Sequence, residues 1–183
     1  MAAPEAGAGR VKMSRRRAAS AWMRLAAAVL GAAIVASATA SCSSLMPASG
    51  PIATKLVLAS TASDEAQAAT LISSYRAANG LSPVIADPTL ARAAEVQARA
   101  VASVGALSHG DFASRMASLG IKGEAAENLS AGRNSVAAAI AGWKASPGHN
   151  ENLLLARVRR IGIARIDTPG VGYHEYWVLV LAR

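Results

Sequence analysis

A chain of 183 residues is long enough for one well-packed domain and too short for two comfortable ones. Its formal charge of +8 overstates the basicity of the folded part, because Arg10, Lys12, Arg15, Arg16, Arg17 and Arg24 face only Glu5 before residue 42, and +3 remains downstream. That mild balance, with no Lys/Arg run interleaved with aromatics and no nucleotide, flavin or haem motif, argues against nucleic acid and the common cofactors.

The first segment reads as a leader. From Met13, "MSRRRAASAWMRLAAAVLGAAIVASATASC" is basic, then apolar from Leu25 to Val35, then small. That order marks an export signal over residues 1–41, with Met13 as an alternative start. The apolar run falls short of the roughly 20 residues a permanent span needs. Two cleavage readings stand side by side. Ala38-Thr39-Ala40 suits ordinary cleavage before Ser41, leaving a secreted or periplasmic protein. Thr39-Ala40-Ser41-Cys42 resembles a lipobox, with Thr39 in place of the usual Leu, and predicts acylation of Cys42 and attachment to a membrane. Cys42 is the only cysteine, so it has no disulfide partner within the chain. Residues 42–62, rich in Ser, Pro, Gly and Ala, read as a lipidated or flexible tether with one docked apolar patch at Leu56 to Leu58.

The domain is expected over residues 63–183. Ser63, Asp64 and Glu65 open a helix that closes on Asn79-Gly80, with Ala68, Leu71, Ile72 and Tyr75 on one face. Asp87 caps a second, with Pro88 at its first position and Leu90, Ala94, Gln97, Val101 and Val104 on its inner face. "DFASRMASLG" predicts a short third helix, and "NSVAAAIAGWKAS" a fourth from Asn134. In "SPGHNENLL" a Ser146-Pro147-Gly148 turn precedes His149 at the start of a short helix. "RRIGIARID" and "YHEYWVLVLAR" form an antiparallel hairpin across a loop containing Thr168-Pro169-Gly170, and "AAENLSAG" is available as a further strand. His174 is expected within the last strand as a packing or surface residue. Helices first and a hairpin last give an α+β domain.

Three separated segments each present one polar group that could build a site: His109 in "LSHGDF", Glu127 in "AAENLSAG" and His149 in "SPGHNENLL". Each adjoins an apolar anchor or a chain reversal, and loop-borne polar groups on a rigid scaffold are where sites are built. Spacing alone leaves them equally readable as two surface histidines and a helix-flanking glutamate.

Taken together, "R-x-x-N-G-L" at Arg76–Leu81, "DPTLARAAEVQA", "SHGDF", "AENLS", "GWKASPGHNENLL", "RRIGIA" and "EYWVLVLA" resemble the CAP superfamily, in its disulfide-free bacterial branch. CAP is named for cysteine-rich secretory proteins, antigen 5 and pathogenesis-related plant proteins, and its module is also called the SCP domain. The resemblance covers about residues 66–182. It implies an α-β-α sandwich, four or so helices around a small antiparallel sheet, with a cleft carrying two His and two Glu. His109, Glu127 and His149 carry over, supported by Phe112, Asn128, Trp143 and Asn152. The second Glu falls on Ser146, and Glu151 nearby is as suited to face water. Two functions follow as expectations. One is an envelope or extracellular binding module whose cleft takes a divalent cation such as Zn2+, on His109 and His149, or a small apolar or lipid ligand. The other is a metal-assisted hydrolase with Glu127 as general base. A structural envelope protein, in which the three residues form a hydrogen-bonded cluster, is the third reading.

Overall fold

The computed structural model describes the backbone of residues 9–12 and all of residues 55–183. Cys42, both cleavage sites and the apolar run of the leader lie outside the described residues. Among the described residues no helix is long and apolar enough to cross a membrane.

The centre of the molecule is strand β6 (Glu175–Ala182), fully paired on both sides. The sheet runs β1 (Gly9–Lys12), β4 (Glu124–Ala131), β6, β5 (Arg160–Asp167), β2 (Val57–Leu58), all antiparallel. A two-residue β3 (Ile85–Ala86) adds a parallel pairing to β5 at Arg160 and Ile161. Five helices complete the described fold: α1 (Ala62–Ala78), α2 (Pro88–Val104), α3 (Phe112–Ser118), α4 (Val136–Ala145) and α5 (Pro147–Leu153). The expected α+β class and α-β-α layering are what the chain adopts.

Period-2 alternation gives the sheet two apolar faces, because β4, β5 and β6 are buried on both sides. Ala125, Leu129 and Ala131 of β4, with Val178 and Val180 of β6, pack under α2 and α3 around Leu90, Val101, Phe112 and Met116. Ala126 of β4, with Trp177, Leu179 and Leu181 of β6, packs on the opposite side with Ile72 of α1, Ile140 and Trp143 of α4 and Leu153 of α5. Burying a branched or aromatic side chain contributes roughly 1.5–3 kcal/mol, so the two layers hold the fold together from both sides.

α2 sits closest to the sheet. A Cβ at Gly162 would lie 2.0 Å from the Ala91 amide nitrogen, so the helix backbone rests directly on β5 there. Asp87 accepts from the Thr89 and Leu90 amides at 2.8 and 3.1 Å, and Gly105, at φ +68°, ends the helix.

Several elements depart from the sequence reading. Within residues 55–183 regular structure begins at β2, ahead of the expected start at Ser63, and the cap of α1 is Thr61, which exchanges hydrogen bonds with Asp64 in a capping box. Val104 is 71% exposed instead of lying on the inner face, where Val101 and Ala102 of the same turn are buried. α4 starts at Val136, capped by Ser135, rather than at Asn134. Pro147 and Gly148 form the first turn of α5 instead of a turn before it, since proline's missing N–H costs nothing at a helix start. His174 lies outside β6, exposed, at φ +67° in the hairpin loop.

Candidate functional site

Glu127 is the buried centre of the polar cluster. Its neighbours Ala125 and Leu129 face α2 and α3, and alternation sends Glu127 the same way. A carboxylate with no exposure needs compensation, and two groups supply it. His109 Nδ1 lies 2.9 Å from Oε1. Arg115, from α3, donates through Nη2 to Oε2. Since an ionised carboxylate only accepts, His109 carries a proton on Nδ1. The guanidinium of Arg115 also lies 5.5 Å above the Phe112 ring and donates through Nη1 to Gln97 Oε1. Gln97 in turn donates through Nε2 to the Ser108 carbonyl. Gly110 completes the loop at φ +54°. His109 is thus fixed through its side chain and through the backbone before it. It is also the most accessible member, with its side chain 21% exposed against 9% for Arg115 and 0% for Glu127.

His149 is reached from the other side of the same strand. Asn128 faces opposite to Glu127 and donates to the His149 carbonyl at 3.0 Å. Asn152 donates to Asn128 Oδ1 at 2.9 Å, and Trp143 Nε1 donates to the Leu129 carbonyl at 3.1 Å. The two helices α4 and α5 are thereby pinned to β4 by side chains that satisfy buried polar groups. His149 is buried, with Nδ1 3.0 Å from Ser146 Oγ. The serine that stands where the resemblance places a carboxylate therefore holds the ring of His149. Glu151 is exposed.

The structure brings His109 and Glu127 into direct contact, and ties His149 to Asn128, the next residue along. Among the described residues no three His, Cys, Asp or Glu side chains gather as a group that could hold a metal ion. Both oxygens of Glu127 serve protein donors, so it orients His109 instead of offering itself as a ligand. These residues do not make the three-donor centre of a catalytic zinc. Two open cavities flank the start of α2, one of about 280 Å³ beside Leu58, Arg92 and Ile163, the other of about 460 Å³ beside Thr89 and Ser118. Neither is lined by His109, Glu127 or His149.

Sequence reasoning missed Arg115 and the Ser146 contact, and it placed Gln97 on the inner face of α2 without a role. The usable signal was Gln97 itself. An amide on an otherwise apolar helix face must find a partner when buried.

The profile of the cysteine-rich secretory protein family, CAP, matches residues 69–181. The fold resembles an outer surface protein of Borrelia burgdorferi, with TM-score 0.60 and 20% identity over 69% of this chain and 97% of that one. It also resembles a cysteine-rich secretory protein of Staphylococcus aureus, with TM-score 0.54 and 19% identity over 66% of this chain and 38% of the other. An extracellular protein of Bacillus anthracis containing an SCP domain gives TM-score 0.57 and 22% identity over 66% and 40%. The latter two are much longer proteins, of which this chain spans about two fifths. At these identities the likeness establishes the fold. No curated protein matches the sequence.

Proposed function

Because this chain belongs to the cysteine-rich secretory protein (CAP) family, we propose that it is an exported, lipid-anchored binding module of the cell envelope, held by an acylated Cys42. Its cleft binds a small apolar or lipid ligand near His109. Export is supported by the basic-apolar-small order of residues 13–42 and by the surface and extracellular character of the structural relatives. Anchoring is supported by the position of the single cysteine after Thr39-Ala40-Ser41.

The observation that favours binding over hydrolysis is the engagement of Glu127. A general base must present a lone pair to water, and here Glu127 has no exposed surface, with one carboxylate oxygen on His109 and the other on Arg115. His109 is the most exposed of the three side chains and is the one placed against the ligand in this reading. Two measurements test the reading. A fatty-acid analogue fed to expressing cells should label the full chain and not Cys42→Ala, and equal labelling of both removes the anchor. A fluorescent fatty acid should bind the purified full chain saturably and at least about tenfold more weakly after His109→Ala, the size of a lost polar contact in a desolvated site. Turnover of a peptide or ester library that disappears in Glu127→Gln would overturn binding in favour of a hydrolase.

A further inference from the structure

We propose that the end of the molecule built by the hairpin loop and the last turn of α2 is a membrane-docking surface, which lays Val104, Val171 and Tyr173 into the interface of the bilayer that holds Cys42. The inference rests on the membrane-anchored reading for its partner, and its test does not use the acyl group.

Of the six large apolar side chains exposed among the described residues, Val104, Val171 and Tyr173 gather at one place, at 71%, 48% and 37%. Tyr176 fixes where. A Cβ added at Gly105 would lie 3.7 Å from the Tyr176 hydroxyl oxygen and one at Gly172 2.8 Å from it, so Val104 and Val171, their chain neighbours, flank the same point. Tyr173 stands edge-on to Tyr176, with ring centroids 6.3 Å apart. The loop that carries two of the three is tied down by buried Thr168, which donates its hydroxyl to the Val171 carbonyl at 2.8 Å and its amide to the His174 carbonyl at 2.7 Å. Apolar side chains grouped outward on a hydrogen-bonded loop contribute little burial to the fold and mark a contact surface.

The entry point of the tether identifies the partner. β2 runs antiparallel to β5 with Val57 opposite Asp167, the last residue of β5, and Asp167 in turn faces Glu175, the first of β6. The chain therefore comes into β2 from the hairpin-loop end, and twelve residues separate Lys55 from Cys42. At no more than about 3.6 Å per residue, an acylated Cys42 keeps that end within roughly 45 Å of the bilayer. The tethered end is the one that meets lipid first. Tyrosine suits the membrane–water interface, where its ring is apolar and its hydroxyl wet. Lys55, Arg133 and Arg165 flank the loop against Asp167 and Glu175, three cations to two carboxylates, so no negative excess among them repels anionic lipid.

The full chain carrying Cys42→Ser has no thiol of its own. An environment-sensitive fluorophore can then be placed at Val104→Cys, at Val171→Cys, or at Ala156→Cys, exposed before the far end of β5 and about 25 Å away at roughly 3.4 Å per strand residue. On vesicles of phosphatidylcholine and phosphatidylglycerol that carry nitroxide-labelled lipid, the probes at 104 and 171 should be quenched at least about twofold, as for groups buried roughly 5–10 Å into the interface, and the probe at 156 left unchanged. The leader also brings the chain to a vesicle, so the readout is which end is quenched and not how much protein binds. In a Val171→Asp/Tyr173→Asp background, folded by circular dichroism, quenching at 104 should fall to the level at 156. Val104→Asp with the probe at 171 repeats the measurement if that pair does not fold. Equal quenching at all three positions, or none at any, overturns the proposal. A blue shift at 104 and 171 without vesicles that grows with protein concentration also overturns it, and makes the surface a contact between two copies of this chain. Quenching confined to 104 and 171, with no fatty-acid labelling of the chain, removes the acyl anchor and keeps the docking surface; the converse pair of results removes the surface and keeps the anchor.

Discussion

Asp87 contributes to the acid limb of stability through both of its carboxylate oxygens. One oxygen caps α2, and the other meets Arg160 Nη1 at 2.7 Å across 73 residues of sequence. Burial works to raise its pKa, but the Arg160 hydrogen bond, the Leu90 and Thr89 amides and the Arg160 charge outweigh burial and hold the carboxyl below its ordinary value. A folded pKa depressed in this way contributes stability that is fully present above the unfolded value, about 3.9, and is lost as pH falls through the folded one. Asp87→Asn preserves the cap and removes the charge, so its urea midpoint should fall less than that of wild type between pH 5 and about pH 2. Parallel acid limbs in the two proteins would show that the ion pair adds nothing. Asp87→Ala loses the cap as well and should cost about 1–2 kcal/mol at pH 7 by urea unfolding. The cap was legible from "ADPTL", because Asp before Pro at a helix start is a local signal. Arg160 was not, since nothing local pairs residues so far apart. The polar residues around Glu127 and Asn128 divide the same way: His109, Glu127 and His149 could be named from the family resemblance, whereas Arg115 emerges only when α3 folds against β4.

Elements here are held by backbone contacts that tolerate little change. At Gly162 the β5 backbone meets the Leu90–Ala91 backbone of α2, where an added Cβ would overlap main-chain atoms at 2.0 and 2.1 Å. Because the obstacle is backbone and not the end of a flexible side chain, Gly162→Ala should cost at least about 3 kcal/mol, toward the upper end of overpacking effects. A urea midpoint unchanged from wild type would mean that α2 can lift from the sheet freely. Arg76 does the converse, joining elements by filling a gap. Fully buried, it donates to the carbonyls of Ser82, Leu153, Leu155 and Val158 and so fastens α1 to the α5–β5 connection. Burial, then the nearby Arg159, lowers its pKa from the guanidinium value. Arg76→Met strips several buried carbonyls of their donor and is expected to destabilise by about 3 kcal/mol or more, read from the same unfolding curves. The hairpin and α2 were legible in sequence because apolar periodicity and a Thr-Pro-Gly loop mark them. The start of α5 was misread because Pro-Gly signals a turn as readily as a helix N-terminus, and only tertiary packing of Leu153 and Asn152 decides between them.

At the scale of the whole molecule, every described residue of both apolar layers lies within residues 55–183. The layering itself followed from the family resemblance. Which strands are buried on both faces did not, because a short continuous apolar run such as "YWVLVLA" fits a two-sided strand or a buried helix equally. Among the described residues, the one element contributed from before residue 55 is β1, which pairs with Glu124–Glu127 along the outer edge of β4. Its loss on removal of a leader would leave β4 still paired to β6 along its full inner edge from Ala125 to Ala131. A chain beginning at Lys55 should therefore unfold in one cooperative transition, with a Tm within about 5 °C of the full chain, the shift that roughly 1 kcal/mol produces in a domain of this size. Differential scanning calorimetry of the two proteins decides it. A broad or absent transition in the shorter chain would make β1 an integral strand, and an export route that discards residues 1–41 would then be incompatible with a stable product. A retained transition would leave Glu124–Glu127 of β4 as an open strand edge in the shorter chain.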